Sequence, residues 1–423
     1  MPRCSTPRIA RRRTPLVARL ATGIGLASAV ISGCAAPALV ATSSASAEAA
    51  SGSSHPTTGT PRAVAMLVAE SGPVAALDRP AARGAAVAFA DRDPSGKVPV
   101  LNAADTRSTS AGAASAAAIA LHPRRYHRDI PDAAVGFGFT DTDVALGGLP
   151  AFASAGVPFV VLGATAPELG THGGDGVFLA CWTDDVQAHA AAEFMRRSFG
   201  ARVAIVFDSR SAFSRAVSGP FRRRFGDSGG SIPHEFDLAA TPAVQLGAFI
   251  AGIGPDVDAI YVACEPGDVA PVLTAVRSAL PETPLVGADS FDCPASAQAA
   301  GAPADRVWFT THAWFGEGAT PEASSFAARY QAMYGAPPES AFAALGFDAA
   351  TLVLDAWDAA EAAGHPGDPA AIRKALASVR DHRGASGVID YSQGPVPRKD
   401  VWIVRLSGGQ RTLAEAWRDR GSR

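Results

Sequence analysis

From about residue 62 onward, short continuous apolar runs alternate with longer alanine-rich segments whose apolar positions recur at helical spacing. Continuous apolar runs are typical of strands that are covered on both faces of a parallel sheet. The pattern predicts strands at residues 63–68, 133–138, 158–164, 202–209, 258–265, 284–289 and 306–314. The segments between them predict helices, among them 184–199, 213–225, 266–280 and 341–363. This alternation indicates βαβ units and an α/β fold with parallel sheets.

The first fifty residues have a different pattern. They contain six arginines but no acidic residue before Glu48, and an apolar run covers residues 20–33. The run is too short to span a bilayer core, which takes about 20 residues, and it predicts the apolar region of a signal peptide. It ends in "ISGC", which resembles the bacterial lipobox, so we expect a signal peptide over 1–33 and a lipid on Cys34. The alternative is an ordinary signal peptide that is cleaved near a cysteine.

The composition of the chain after the expected signal peptide limits its fold and its partners. Residues 34–61 consist mainly of small and polar residues, which predict a flexible tether, and the body from about 62 to 423 is long enough for two lobes. Removal of the leader arginines leaves 31 basic and 40 acidic residues, a net charge of −9. This acidic body argues against nucleic acid as a partner. The remaining cysteines, Cys181, Cys264 and Cys293, have no CxxC spacing, so we expect neither a zinc module nor a disulfide scaffold.

One motif suggests an enzyme. Residues 226–230 read "GDSGG", the sequence around the nucleophilic serine of chymotrypsin-like proteases. The stretch comes after a helical segment and precedes a strand-like one, and the chain offers neither the antiparallel barrels nor the upstream histidine and aspartate that such an enzyme needs. We therefore predict a helix-to-strand turn, with Gly226 at the helix end and Ser228 without a catalytic role. No metal or cofactor motif occurs in the body, and among the scattered histidines only His312 stands near a strand end.

A longer stretch carries a family resemblance. Residues 136–169, "GFGFTDTDVALGGLPAFASAGVPFVVLGATAPEL", resemble the extracytoplasmic solute-binding proteins of branched-chain amino acid ABC transporters, the Leu/Ile/Val-binding type. Segments 69–88, 184–194 and 326–350 occur in the family's order, so that the resemblance covers nearly the whole body. It implies a non-enzymatic type I periplasmic-binding-protein fold, in which two Rossmann-like α/β lobes are joined by a three-strand hinge.

The resemblance also implies where the lobes divide and where ligand binds. We expect crossings near residues 181, 311 and 385, with lobe one comprising 62–180 and 311–385, and lobe two comprising 181–310 and 386–423. A ligand would bind at the carboxyl ends of the strands, and the lobes would close over it by a hinge motion.

Placed on the family pattern, four residues of lobe one match positions that contact the ligand's charged groups. These residues are Thr142, Gly163, Ala164 and Thr165, with helix capping as the alternative for the two threonines. Asp289 falls on the acidic position that holds the ligand ammonium, with helix capping again as the alternative. Phe342 matches an aromatic wall position, and Phe213 falls near an aromatic position of lobe two, within one residue.

Three positions depart from the family. Leu77 stands where the Leu/Ile/Val binders have tryptophan, Glu265 or Pro266 where they have tyrosine, and Asp141 where they have cysteine. Two or three carboxylates would therefore face one cleft, which suits a ligand more polar or cationic than leucine. The alternative for Glu265 is a helix cap that points to solvent.

The sequence thus favours a monomeric, membrane-anchored binder without cofactors, located outside the cytoplasm. It would capture an amino acid or a related zwitterion or amide and deliver it to ABC permease subunits. A ligand sensor on the same fold, signalling to a membrane partner, is the alternative, although no output domain is evident. An enzyme that uses the carboxylates as acid and base is a third interpretation, which the absence of a nucleophile-base pair argues against.

Overall fold

The computed structural model describes residues 62–92, 98–172, 174–240, 243–253, 256–294, 296 and 306–418. The expected signal peptide (1–33), the lipidation site Cys34 and the expected tether (34–61) lie outside the described residues. None of the helices in the described ranges combines the length and apolarity needed to cross a membrane.

The strands form two large sheets and one hairpin. In chain order they are β1 (Arg62–Val68), β2 (Val100–Asp105), β3 (Asp132–Gly138), β4 (Phe159–Val161), β5 (Val177–Leu179), β6 (Arg202–Phe207), β7 (Ser231–Asp237), β8 (Ala259–Ala263), β9 (Leu285–Gly287), β10 (Val307–Thr311), β11 (His382–Gly384), β12 (Gly387–Ile389), β13 (Val401–Ser407) and β14 (Gln410–Trp417). The first sheet is parallel with the order β2-β1-β3-β4-β5. The second has the order β14-β13-β10-β9-β8-β6-β7, and β11 and β12 form the hairpin.

Helices connect and cover the sheets. They are α1 (Ala75–Arg92), α2 (Ser110–Leu121), α3 (Thr142–Ala155), α4 (Leu169–His172), α5 (Asp184–Ser198), α6 (Ala212–Asp227), α7 (Ala243–Ile253), α8 (Pro266–Ala279), α9 (Pro321–Tyr334), α10 (Phe342–Ala362) and α11 (Pro369–Ala377). Single 3₁₀ turns occur at Pro123–Tyr126, Gly174–Gly176 and Asp289–Phe291. The α/β fold class predicted from the sequence is confirmed.

The second sheet is not wholly parallel. Strands β6 to β10 are parallel to their neighbours, but β13 pairs antiparallel with β10, and β14 pairs antiparallel with β13. The outer strand β14 alternates exposed and half-buried residues instead of presenting a continuous apolar run. For this reason the apolar pattern that predicted the inner strands did not predict β14.

Glycines determine how closely α1 and α10 pack. A Cβ atom added to Gly84 would lie 1.8 Å from the carbonyl oxygen of Ala343, and one added to Gly346 would lie 1.9 Å from that of Ala81. Each glycine therefore faces the backbone of the other helix. This contact attaches α10, which is far along the sequence, to the core of the first lobe.

The start of α3 is explained by its sequence. Asp141 has an extended backbone, and its carboxylate accepts a hydrogen bond from the N–H of Val144 at 2.8 Å, as an N-cap residue does. The helix ends at Gly156, whose φ of 66° lies in the left-handed region that glycine adopts without strain. The cap places the Asp141 side chain at the carboxyl end of β3.

The "GDSGG" motif forms the predicted turn. Helix α6 runs to Asp227, and Ser228 is its C-terminal cap, with its hydroxyl donating to the carbonyl of Phe225 at 2.7 Å. The left-handed residue is Gly229 (φ 78°), so the prediction that Gly226 ends the helix was wrong by a few residues. Helix α6 passes through Gly226, and the left-handed conformation that ends it falls three residues later.

The crossing segments are held by buried polar groups. Lys399 donates to the carbonyl of Ala180 at 2.8 Å and also to the hydroxyl of Ser386, and burial lowers the pKa of its ammonium to about 8. The carboxylate of Asp348 accepts from the N–H groups of Ala385 (2.7 Å) and Ser386 (2.8 Å). These bonds join the segment around 385 and the segment around 399 to the first lobe.

The segment after residue 385, where we expected the last crossing between the lobes, still packs on the first lobe. Ile389 and Tyr391 belong to the hydrophobic core of the first lobe, and the Tyr391 hydroxyl donates to the carbonyl of Leu179 at 2.8 Å. The N–H of Leu179 donates in turn to the carbonyl of Pro395. These contacts favour a last crossing between Pro395 and β13, later than residue 385.

Candidate functional site

The cleft lies where the carboxyl ends of the strands of the two sheets face each other. Loops after β1 and β3 meet loops after β6 and β8. The backbone N–H of Ala212 donates across the cleft to Oδ2 of Asp143 at 2.9 Å. A Cβ atom on Gly267 would lie 3.3 Å from the Cβ of Pro73 on the other side. The lobes are in contact across the cleft, as in a closed binding protein.

A pair of carboxyl groups crosses the cleft, and we call Asp141 and Glu265 the rim pair. Asp141 precedes α3 of the first lobe and is buried, whereas Glu265 precedes α8 of the second and is half-buried. The two groups are hydrogen-bonded to each other, and the hydroxyl of Ser211 also donates to Glu265. Burial raises the pKa of both carboxyls, and the neighbouring Asp141 raises that of Glu265 further. The pair must share a proton, because two carboxylates offer only acceptors to each other.

A second pair lies deeper, and we call Asp184 and Asp289 the hinge-side pair. Oδ1 of Asp184 accepts from the hydroxyl of Thr165 at 2.7 Å and from Nε2 of Gln187 at 2.8 Å. The same Nε2 lies 3.0 Å from Oδ1 of Asp289, whose backbone N–H donates to Oε1 of Gln187 at 3.1 Å. His312 places Nε2 3.0 Å from Oδ2 of Asp289. All five side chains are buried, so they form a desolvated polar network between the lobes.

Electrostatics limit the charge of this network. Burial raises the pKa of Asp184 well above its usual range, and the adjacent Asp289 adds to the effect. Burial lowers the pKa of His312, against the opposing effect of Asp289, so its ring is neutral at pH 7. The imidazole is stacked on Trp182 with a centroid distance of 3.7 Å and meets Phe342 edge-on at 5.6 Å. These contacts fix the ring that orients Asp289.

Several buried polar atoms around the cleft have no hydrogen-bond partner among the residues that the structure describes. They are Oγ1 of Thr142, Oδ2 of Asp184, Nδ1 of His312, Nε1 of Trp182 and Oγ of Ser290. A buried polar atom without a partner is unfavourable, typically by about 1–3 kcal/mol. A small polar ligand could provide the missing partners.

The structure shows what the predicted donors of lobe one do in this closed form. The N–H groups of Gly163 and Ala164 both donate to the carbonyl of Phe139 at 3.1 Å. The hydroxyl of Thr165 is bonded to Asp184, so among the predicted side-chain donors only Thr142 keeps a hydroxyl without a partner in the described ranges. Thr142 begins α3, and Asp141 is the residue that caps it. To donate to a ligand, Gly163 and Ala164 would have to give up their bonds to the carbonyl of Phe139, and Thr165 its bond to Asp184.

Three apolar residues predicted at ligand-binding positions are buried. Leu77 in α1 and Phe342 in α10 belong to the core of the first lobe, and Phe213 in α6 belongs to the core of the second. The ring of Phe342 packs against Gly163, where an added Cβ would lie 2.9 Å from the ring. Their contact with a ligand stays a prediction.

Helix capping was the alternative role for Glu265 and Asp289, and the structure does not support it for either carboxyl group. Glu265 precedes α8, but its side chain makes no capping bond and meets Asp141 instead. Asp289 begins a 3₁₀ turn and likewise makes no side-chain cap, because the cap position is Ala288. Both carboxyl groups therefore lie in the cleft network and do not serve as helix caps.

Sequence reasoning missed Asp184, Gln187 and Trp182. The "TDD" at 183–185 was interpreted as a helix start with dipole-stabilising acids, and Thr183 is indeed the N-cap, but without a side-chain capping bond. Two acids and a glutamine within one turn could have pointed to a buried network. In the described ranges no group of three or more His, Cys, Asp or Glu side chains could hold a metal ion.

Comparison with known proteins identifies the class. The family model described as periplasmic binding protein matches residues 61–410, and the chain belongs to this family. The prediction that the protein is a binding protein and not an enzyme is thereby confirmed. A search of curated proteins found no significant match.

Solved structures give similar proteins. A leucine binding protein, LivK, from Thermotoga maritima MSB8 has a TM-score of 0.75 and 25% identity, with 84% of this chain and 99% of that chain covered. The branched-chain amino acid transporter substrate binding protein LivJ from Streptococcus pneumoniae, in complex with isoleucine, has a TM-score of 0.74 and 21% identity over 85% and 99%. A solute binding protein of an ABC transporter from R. palustris, in complex with benzoate, has a TM-score of 0.72 and 19% identity over 84% and 96%. They confirm the fold that the sequence resemblance implied.

Proposed function

We propose that the protein is an extracytoplasmic solute-binding lipoprotein that captures a small amino-acid-like ligand between its lobes and delivers it to an ABC transporter. The observation that carries the proposal is the desolvated polar network between the lobes. Within the described ranges, buried atoms without partners lie on both sides of the cleft: Oδ2 of Asp184 in this network, and Oγ1 of Thr142 in lobe one. The similar solved proteins, whose names mention transporters, leucine, isoleucine and benzoate, support the ligand classes to be tried first.

A thermal-shift screen tests ligand capture. Amino acids, their amides, polyamines and aromatic carboxylates are added to the protein, and each hit is measured by calorimetry. A ligand at a thousand times its Kd should stabilise the folded protein by about 4 kcal/mol, a large shift in Tm. If no compound of any of these classes changes Tm or gives binding heat at millimolar concentration, the proposed function is wrong.

Two substitutions test the placement of the site. We take Asp289 to hold the ligand ammonium, so Asp289→Asn should weaken binding by about 2–5 kcal/mol, since the ammonium is left unpaired. Thr142→Ala removes one donor and should cost about 1–3 kcal/mol. Glu282→Gln is the matched control, because its carboxylate lies in the second lobe with its side chain 83% exposed. Unchanged affinity in a folded Asp289→Asn protein, checked by circular dichroism, would show that Asp289 is not the ammonium site.

Delivery and anchoring need cellular tests. Deletion of the gene should reduce uptake of the identified ligand; intact uptake together with the loss of a transcriptional response to the ligand would favour the sensor alternative. Cys34→Ala should release the protein from membranes if Cys34 carries the lipid. Retention of a correctly processed Cys34→Ala protein in the membrane would contradict the anchor.

A further inference from the structure

We infer that the ligand carries a second cationic group, an ammonium or guanidinium, which the rim pair Asp141 and Glu265 binds. The inference rests on the proposed function and narrows its ligand class to basic amino acids and diamines. It rests also on the composition of the cleft, in which both carboxyl pairs lie between the lobes. Their hydrogen-bond partners outside the pairs, in the described part of the chain, are backbone N–H groups, hydroxyls, Gln187 and the neutral ring of His312, with no lysine or arginine among them.

The rim pair brings one carboxyl group from each lobe into direct contact. Asp141 is fixed by its capping bond to Val144, and Glu265 is fixed by the hydroxyl of Ser211. Neither side chain can turn to solvent without losing these bonds. In the closed protein the pair therefore requires a positive charge or a proton between its oxygens.

The groups that face the pair are mainly acidic. They are Asp143 on α3, which acts on both carboxyls, Asp78 on α1, which interacts with Asp141, and the Ser211 hydroxyl, which donates to Glu265. Among the strongest charge effects on Asp141 and Glu265 the structure shows only acids, and the pKa of both is raised. Without ligand, the position between them is held by a proton.

An independent observation points to a ligand in the same place. The hydroxyl of Thr142, the residue after Asp141, is 1% exposed and has no partner in the described part of the chain. Deeper in the cleft, Oδ2 of the fully buried Asp184 also lacks a partner there. A ligand with one cation at the hinge-side pair and another at the rim pair provides partners at both ends, with Thr142 available to its polar groups. An aliphatic side chain such as that of leucine would offer the rim pair no hydrogen bond and no charge, and the pair would keep its shared proton.

Binding of a cation by the rim pair is coupled to the release of a proton. A cation that replaces the shared proton must release it, so binding of a basic ligand should liberate up to one proton and become tighter as pH rises toward the pKa of the pair. The opposite trend is expected if the rim pair serves only as a proton-held latch, because deprotonation would then repel the lobes and weaken the binding of any ligand.

The experiment is calorimetry with lysine, arginine, putrescine, leucine, isoleucine and benzoate, in two buffers that differ in ionisation enthalpy. We expect the basic compounds to bind most tightly and the buffer dependence to show proton release. Glu265→Gln and Asp141→Asn should each weaken the basic ligands by about thirty- to several-thousand-fold, the range for removing one member of a buried charge pair. The matched control Glu282→Gln, whose side chain is 83% exposed, should leave the affinity for every compound unchanged.

The outcomes separate this inference from the proposed function. Binding of leucine or benzoate without binding of any basic compound would overturn the second cation site and leave the proposed function standing. Basic ligands that bind Glu265→Gln and Asp141→Asn as tightly as wild type, with no proton release, would also overturn it. Absence of binding by the whole panel would count against the proposed function itself. Because the buffer comparison uses the wild-type protein, the inference can be tested even if a variant does not fold.

Discussion

The free-energy cost of burying a carboxyl group near the cleft can be measured at Asp78. It lies in the first turn of α1, where it is 1% exposed. Its Oδ2 accepts from the N–H of Ala69, and its Oδ1 accepts from the hydroxyl of Thr140 at 2.6 Å. Burial raises its pKa from 3.8 to about 7, and the nearby Asp141 adds to the shift. The perturbation is Asp78→Asn, which keeps the shape of the protonated acid.

The difference between the folded and the unfolded pKa of Asp78 sets the size of its effect on stability. The folded pKa is higher than the unfolded one, so the folded state keeps a proton that the unfolded state has lost. Stability is therefore greatest below pH 3.8 and decreases as pH rises through about 7, after which it stays level. About three pH units at about 1.4 kcal/mol each give a loss of about 4 kcal/mol for this group alone. The asparagine does not titrate and should show none of this loss.

Urea unfolding of wild type and Asp78→Asn at pH 4.5, 6 and 8 provides the assay. The free energy of unfolding of Asp78→Asn, relative to wild type, should rise by about 3–4 kcal/mol between pH 4.5 and pH 8. Glu282→Gln is the control, because the Glu282 carboxylate is exposed. The free energy of unfolding of this variant, relative to wild type, should hardly change with pH. If the Asp78 difference is equally flat, the carboxyl is not desolvated as its burial indicates, and the same argument for the rim pair is weakened.

Three further predictions concern the fold. Gly346→Ala should destabilise the protein by about 3 kcal/mol or more, because the new methyl group meets the backbone of α1. Thermal unfolding measures this loss, with Gly226→Ala as the control, since Gly226 is exposed on a helix and has open space around it. Asp348→Ala should cost at least about 3 kcal/mol in urea unfolding, since it leaves the buried N–H groups of the 385–386 segment without acceptors; a loss below about 1 kcal/mol would contradict this. Ser228→Ala should cost less than about 1 kcal/mol, and labelling of wild-type Ser228 by a fluorophosphonate would overturn its structural role.

The inner strands could be predicted because their residues are buried on both faces. The apolar runs at 202–209 and 258–265 contain β6 and β8 with two or three residues to spare. Strand β14 and the hairpin of β11 and β12 were not predicted, since β14 alternates exposed and half-buried residues and the hairpin strands have only three residues each. Only pairing with neighbours defines these strands.

Individual residues of the candidate site were predicted from the sequence, but the hydrogen bonds between them were not. Family position indicated Asp289 and Thr165, but the residues that bond them, Gln187 and Asp184, lie on a helix whose sequence is equally typical of an ordinary helix start. Contact between Asp141 and Glu265 depends on how two lobes meet, and no spacing within the chain encodes that distance. Long-range polar contacts of this kind need the tertiary structure.

The interlocked glycines of α1 and α10 have a consequence for the order in which the molecule can form. Gly84 and Gly346 are separated by most of the chain, and the core of the first lobe also needs Ile389 and Tyr391. When the chain is made or threaded from its N-terminus, the first sheet therefore waits with one apolar face uncovered until the last quarter of the sequence arrives. Contacts of such long range slow folding. The second lobe can begin to assemble earlier, because β6 to β10 are contiguous in sequence, but its sheet is completed only when β13 and β14 arrive at the end of the chain. Both lobes therefore depend on the last quarter of the sequence.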